Sequence, residues 1–187
     1  MTHLTGLVLA AGGGSRMGMP KALMRDESGE PWLTHATTLL HGAGCDRVVV
    51  VLGARAEEAL PLVPTGIETV IAEKWRDGMA ESLKCGLSVA DGTAAVITLV
   101  DLPDLPASVV ERVLGDPGSI TGDTLRQATF VTRPGHPVVV GRNHWAPLVA
   151  QLSGDRGARA YLSGASVTEI ECGDLFDGHD VDYRAEP

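Results

Sequence analysis

Leu4-Thr5-Gly6-Leu7-Val8-Leu9-Ala10-Ala11-Gly12-Gly13-Gly14-Ser15-Arg16-Met17-Gly18-Met19-Pro20-Lys21 opens the chain with an apolar run that breaks into glycines and ends in two cations. The run Leu4–Ala10 has the length and composition of a buried strand, and three consecutive glycines forbid its continuation. Backbone N–H groups without neighbouring Cβ atoms form a concavity that holds anions, and Arg16 and Lys21 add full positive charges five residues apart. A forked guanidinium, a point-charge ammonium and backbone donors are what a triphosphate needs. By shape alone the signal is weak, since a flexible turn with solvated cations has the same composition. A dinucleotide turn fits less well. Gly12 and Gly14 match its first two glycines, but Met17 stands at the third, and Gly53-Ala54-Arg55 follows the second strand where an acid belongs. The Gly-Lys-Ser/Thr ending of a Walker loop is absent.

Working outward, six further runs read as strands: Arg47–Leu52, Ile67–Ala72, Ala94–Val100, Thr129–Arg133, His136–Val140 and Val167–Cys172. Val48–Leu52 and Ala95–Val100 are almost continuously apolar, as in parallel strands covered on both faces. Between the strands lie helical patterns at Trp32–His41, Met79–Ala90, Pro106–Leu114, Asn143–Leu152 and Asp155–Leu162, with Pro106 placed in a first turn, where its missing N–H is harmless. Alternating strands and helices predict an α/β fold with a mostly parallel central sheet and helices on both faces. Gly115–Gly122 reads as a surface excursion, and no linker or repeat divides the 187 residues, so a single domain over 1–187 is expected.

Fifteen Lys and Arg against 24 Asp and Glu give a net charge of −9, which argues against nucleic acid or a membrane surface as partner. Cys45, Cys85 and Cys172 are odd in number and scattered, so neither a disulfide framework nor a zinc site is indicated. The first apolar run is too short to span a bilayer and lacks a basic leader, so a cytoplasmic protein is expected. Of 187 residues, 23 are glycine and seven are aromatic, so Val, Leu and Ala must fill the core while the loops use their backbone.

Leu9–Lys21 (LAAGGGSRMGMPK) resembles the LAAGxGxRMGxPK signature of nucleotidyltransferases that move a nucleoside monophosphate from a triphosphate to a phosphorylated acceptor. Within that group the chain is most similar to the molybdenum cofactor cytidylyltransferase-like (MobA/MocA-like) NTP transferases, along most of its length. The resemblance implies a three-layer, Rossmann-like nucleotidyltransferase fold, with a nucleotide-binding half over about 1–105 and an acceptor-binding half over about 106–187. It implies nucleotide contacts from Leu9, Ala10, Ala11, Gly12, Gly13, Gly14, Ser15, Arg16 and Lys21. Trp75–Leu83 resembles the family's W-x-x-G-M-x-x-S-L segment, which adds Gly78 and Ser82; an exposed helical serine is the other reading of Ser82.

Asp101 ends the strand Ala94–Val100, the edge at which open α/β sheets bind ligands. Two phosphorylated substrates repel, and Mg²⁺ neutralises that charge through one or two carboxylates. In the family the Asp matching Asp101 is a metal ligand, and Asp104 fits a helix-capping turn. His179–Tyr183 resembles the family's DIDTPEDL ending, whose first Asp matches Asp180, the second ligand, although Tyr183-Arg184 replaces Thr-Pro. On the acceptor side, Pro134–Pro137 resembles a GHPV segment and Gly154–Arg159 resembles GDxGAR. These assign His136, Asp155, Arg156 and Arg159 to the acceptor, with Asp155 also fitting an N-cap. Arg16, Lys21 and Asp101 are then the catalytic set. No base or nucleophile is demanded, because the acceptor oxygen is already ionised.

Leu9-Ala10-Ala11-Gly12 and Pro20-Lys21 are similar to the branch that uses CTP. The implied acceptor is a molybdopterin-type phosphate, with a molybdoenzyme as recipient of the finished cofactor. Another phosphorylated acceptor, a nucleotide-dependent oxidoreductase and a non-catalytic nucleotide-binding protein are the competing readings.

Overall fold

The computed structural model describes residues 2–14 and 17–181. In chain order its elements are β1 (Leu4–Ala10), α1 (Trp32–Gly42), β2 (Arg47–Leu52), α2 (Ala56–Ala59), β3 (Glu68–Ile71), α3 (Met79–Val89) and β4 (Ala94–Leu99). They continue with α4 (Ala107–Leu114), β5 (Leu125–Phe130), β6 (Arg133–Gly141), α5 (Trp145–Gln151), α6 (Arg159–Gly164) and β7 (Thr168–Glu171). The seven strands form one sheet in the order β3-β2-β1-β4-β6-β5-β7. β1 pairs in parallel with β2 and β4, β2 with β3, and β5 with β7; β6 runs antiparallel to β4 and β5.

The continuous apolar character of the inner strands has a direct cause in this topology. All seven residues of β1 are buried, and alternate side chains enter different layers. Leu4, Val8 and Ala10 join Leu33 and Leu40 of α1 and Val109 and Val113 of α4. Leu7 and Leu9 join Leu83 and Leu87 of α3, Leu148 of α5 and Leu162 of α6. The sheet is therefore covered on both faces. Leu148 is fully buried, so Leu148→Ala is expected to cost about 2–5 kcal/mol of stability, measurable as an unchanged m-value and a lowered urea midpoint.

Element boundaries differ from the sequence reading at several places. The strand expected over Thr129–Arg133 runs across a hairpin turn. The turn is Val131-Thr132, both at positive φ (50° and 71°), between β5 and β6. β6 begins before the expected His136, and Pro134-Gly135 lies within it. The helix expected from Asn143 starts as a 3₁₀ turn, Arg142–His144. The helix expected from Asp155 is a 3₁₀ turn, Gly154–Arg156, separated from α6 by Gly157. Pro106 lies one residue before α4 rather than within its first turn. α2 has only four residues, too few to show a period.

Glu171 ties this hairpin to β7. Its carboxylate accepts from the N–H groups of Val131 (3.0 Å) and Gly173 (2.8 Å) and from the Thr129 hydroxyl (3.0 Å). These bonds favour the ionised form and hold its pKa below the ordinary glutamate value. Such a group stabilises the fold fully above its unfolded pKa of ~4.3 and loses that contribution as pH falls through the depressed folded value. Glu171→Gln is expected to flatten the acid side of the stability-versus-pH curve below about pH 4.3. An unchanged acid limb in urea titrations at pH 3 to 5 would remove this role.

Candidate active site

The carboxyl ends of β1 and β4 open into a cavity of about 420 Å³ bounded by the glycine turn, the start of α3 and Asp101. β1 delivers Ala11, whose carbonyl accepts from the Ala54 N–H (3.0 Å) after β2, so the turn is anchored to the sheet before the chain departs. The Trp75 ring packs on the Gly13 backbone. Gly14 has φ +64°, and a Cβ there would lie 1.8 Å from the Met19 carbonyl oxygen. The chain therefore folds back on itself at Gly14 at a distance no side chain permits, and Lys21 is carried beneath the cavity.

Lys21 opens a short 3₁₀ turn. Its Nζ donates to Asp101 Oδ2 at 2.6 Å and lies 4.0 Å from Asp180 Oδ2. Asp101 follows β4, and its main-chain carbonyl accepts from the Val181 N–H (2.9 Å), which binds the C-terminal segment to the site. Phe176 on Phe130 (centroids 5.7 Å apart, edge to face) anchors the same segment upstream. The carboxylates of Asp101 and Asp180, 79 positions apart in sequence, thus share one ammonium. Asp101 Oδ1 is buried and has no hydrogen-bond partner among the described residues. A buried carboxylate oxygen without a partner is costly, and hard oxygen donors of this kind suit Mg²⁺ or a similar divalent ion. The residues present fit such an ion.

The cavity's other wall is α3. Gly78 precedes it at φ +108°, and a Cβ there would lie 2.5 Å from the Gly154 carbonyl and 2.6 Å from Asp155 Oδ1. Ser82, one turn into α3, is buried at 6% exposure and lines the cavity, so it is not an exposed helical serine. Trp75, Arg76, Met79 and Met17 also line it, and the Arg76 guanidinium stacks 4.5 Å over the Trp75 ring. None of these four was expected at the site; the Trp75–Leu83 segment was the available signal for the first three and the R-M-G part of the turn signature for Met17.

Leu9, Ala10, Ala11, Gly12, Gly13, Gly14, Lys21, Gly78, Ser82 and Asp101 are all brought to the cavity. Ser15 and Arg16 lie outside the described residues. The residues expected on the acceptor side are placed apart from one another. Asp155 lines the same cavity, but it makes no N-cap, because its carboxylate faces Gly78 and α6 carries no side-chain cap. Asp104 is exposed, and α4 likewise has no side-chain cap. Arg156 and Arg159 are exposed and do not line the cavity. His136 does not line it either, and its Nδ1 lies 3.3 Å from the Ile97 carbonyl. Burial lowers its pKa, against smaller opposing effects of that bond and of Asp101, so at pH 7 it is neutral rather than a cation for phosphate.

A sheet whose central strands β1 and β4 run into a glycine turn and Asp101, with Lys21 and Asp180 brought alongside, defines an α/β protein with a cavity at the carboxyl edge, where such sheets bind ligands. The family model described as the MobA-like NTP transferase domain matches residues 6–170. The chain belongs to that family. Among its relatives, the nicotine blue oxidoreductase of Paenarthrobacter nicotinovorans is 36% identical, over 96% of this chain and 92% of that protein. A probable molybdenum cofactor guanylyltransferase of Rhodopirellula baltica is 34% identical over 54% of this chain and 50% of its own. Among solved structures, Rv0371c of Mycobacterium tuberculosis superposes with a TM-score of 0.79 at 26% identity, covering 97% of this chain and 94% of that one. No helix among the described residues is long and apolar enough to cross a membrane.

Proposed function

We propose that this chain is a divalent-metal-dependent nucleotidyltransferase that moves CMP from CTP to a molybdopterin-type phosphate and releases pyrophosphate. The observation that carries this reading is the buried Asp101 Oδ1 at the cavity rim, without a hydrogen-bond partner among the described residues and beside Lys21 and Asp180. Among the described residues, two carboxylates around one ammonium leave local negative charge for a further cation to balance. Mg²⁺ held by Asp101 and Asp180 would neutralise charge between the two phosphorylated substrates. The backbone of Gly12–Gly14, with Lys21 and Arg16, orients the triphosphate, while Gly78 and Ser82 face the nucleoside. An acceptor phosphate oxygen attacks the α-phosphorus in line; that P–O bond forms as the α–β bridge bond breaks, and pyrophosphate departs with its electron pair. No proton transfer is required. Trp75 over Gly13 keeps the turn rigid, so the barrier falls through alignment.

CTP is favoured by the Ala-Ala-Gly and Pro-Lys positions of the turn. The acceptor half is taken as about 106–187, with His136, Asp155, Arg156 and Arg159 toward the acceptor, His136 as a neutral hydrogen-bonding group. A finished cofactor would pass to a molybdoenzyme in the cytoplasm. The test is pyrophosphate release with Mg²⁺, molybdenum-loaded molybdopterin and each of the four NTPs in parallel. Release with CTP alone is expected; release with GTP alone, in line with the guanylyltransferase relative, would replace the base assignment and keep the rest. The near-full-length likeness to an oxidoreductase carries a second reading. Tight NAD(P)H binding without metal, dye reduction and no pyrophosphate from any NTP would install it instead.

A further inference from the structure

The position of Lys21 carries a consequence for the order in which ligands enter. Its ammonium lies 2.6 Å from one Asp101 oxygen and 4.0 Å from an Asp180 oxygen, the same two carboxylates that the proposed function gives to the divalent ion. Its side chain is only 17% exposed and that of Asp101 only 15%, so water screens the pair weakly. An ammonium and a divalent cation drawn to the same two carboxylates repel one another, and the repulsion is strong where screening is weak. Lys21 nevertheless stands on a flexible four-carbon stem and lines the cavity together with Gly12, Gly13 and Gly14. A phosphate chain seated on that turn therefore competes with Asp101 for the ammonium.

We propose that Lys21 is a resident stand-in for the metal: it occupies the seat between Asp101 and Asp180 until nucleotide phosphates draw it away, so the divalent ion binds with the nucleotide and not before it. This rests on Asp101 and Asp180 being the metal ligands. The device keeps the two carboxylates partly compensated in the empty enzyme without committing the site to whichever divalent ion is abundant. It also couples metal affinity to nucleotide affinity reciprocally, as linkage requires.

The test is Mn²⁺ binding to the full chain, followed by loss of the free-ion paramagnetic resonance signal, with no turnover involved. Wild type alone should bind weakly at this site, and wild type with a non-hydrolysable CTP analogue should bind at least about tenfold more tightly than the sum of protein and analogue alone. Lys21→Met without nucleotide should likewise gain about tenfold or more over wild type. Lys21→Met with Asp101→Asn should lose that gain. Thermal unfolding checks that Lys21→Met folds, and its midpoint should rise with Mn²⁺ more than the wild-type midpoint does. Lys21→Gln serves as a second variant if Lys21→Met is poorly folded. Equal Mn²⁺ affinity in wild type and the Lys21 variants overturns the stand-in role while leaving the metal ligands in place. Mn²⁺ binding that ignores Asp101→Asn in every background, nucleotide included, overturns the ligand assignment and the inference with it.

Discussion

Asp101→Asn is expected to lower nucleotidyl transfer by about 10³-fold or more, with the fold retained. Asparagine keeps the volume and one carbonyl oxygen but removes the charge. The loss falls where charge develops between two phosphorylated substrates, and removal of a single electrostatic contact of that kind costs about 10²–10³-fold in kcat; loss of a proposed metal ligand adds to it. The structural cost is smaller. Asp101 gives up its 2.6 Å ion pair with Lys21, but the flexible lysine stem also lines the open cavity, so the ammonium regains water instead of remaining buried and unpaired. A thermal midpoint within a few degrees of wild type, together with single-turnover pyrophosphate release, measures both quantities. Undiminished turnover would remove Asp101 from the metal site.

Gly14→Ala is expected to weaken nucleotide binding by more than about 100-fold and to destabilise the chain by about 2–4 kcal/mol. Two costs combine. The left-handed conformation at φ +64° carries a penalty of roughly 1–2 kcal/mol for a residue with a Cβ. The added methyl would also lie 1.8 Å from the Met19 carbonyl, a backbone atom with no rotamer to move. The turn must open, and the segment leading to Lys21 moves with it. Gly12→Ala is the control. Gly12 is not at positive φ, and a Cβ there meets nothing within 4 Å, so stability should stay within about 0.5 kcal/mol of wild type. Because Gly12 lines the cavity, its nucleotide affinity should still fall. Equal stability losses in the two variants, read from urea midpoints, would contradict the geometry.

The elements readable from the amino-acid sequence are those governed by local pattern. β1 and β2 were legible to the residue, and β4 and α3 to within one, because burial on both faces demands unbroken apolar runs and burial on one face demands helical spacing. The glycine turn was legible because only glycine permits the Gly14 reversal. Tertiary structure decided the rest. The Val131-Thr132 turn is imposed on β-branched residues by the pairing of β5 with β6 and by the Glu171 carboxylate, which lies 40 positions away in sequence. Asp155 looked like a cap from its neighbours, but it lies against Gly78 because the chain after α5 returns to the start of α3. Resemblance nominated Asp180; the Val181–Asp101 hydrogen bond is what carries it to Lys21. A propensity acts over a few residues. A shared cation between positions 101 and 180 exists only once the sheet and the Phe176 anchor have closed the distance.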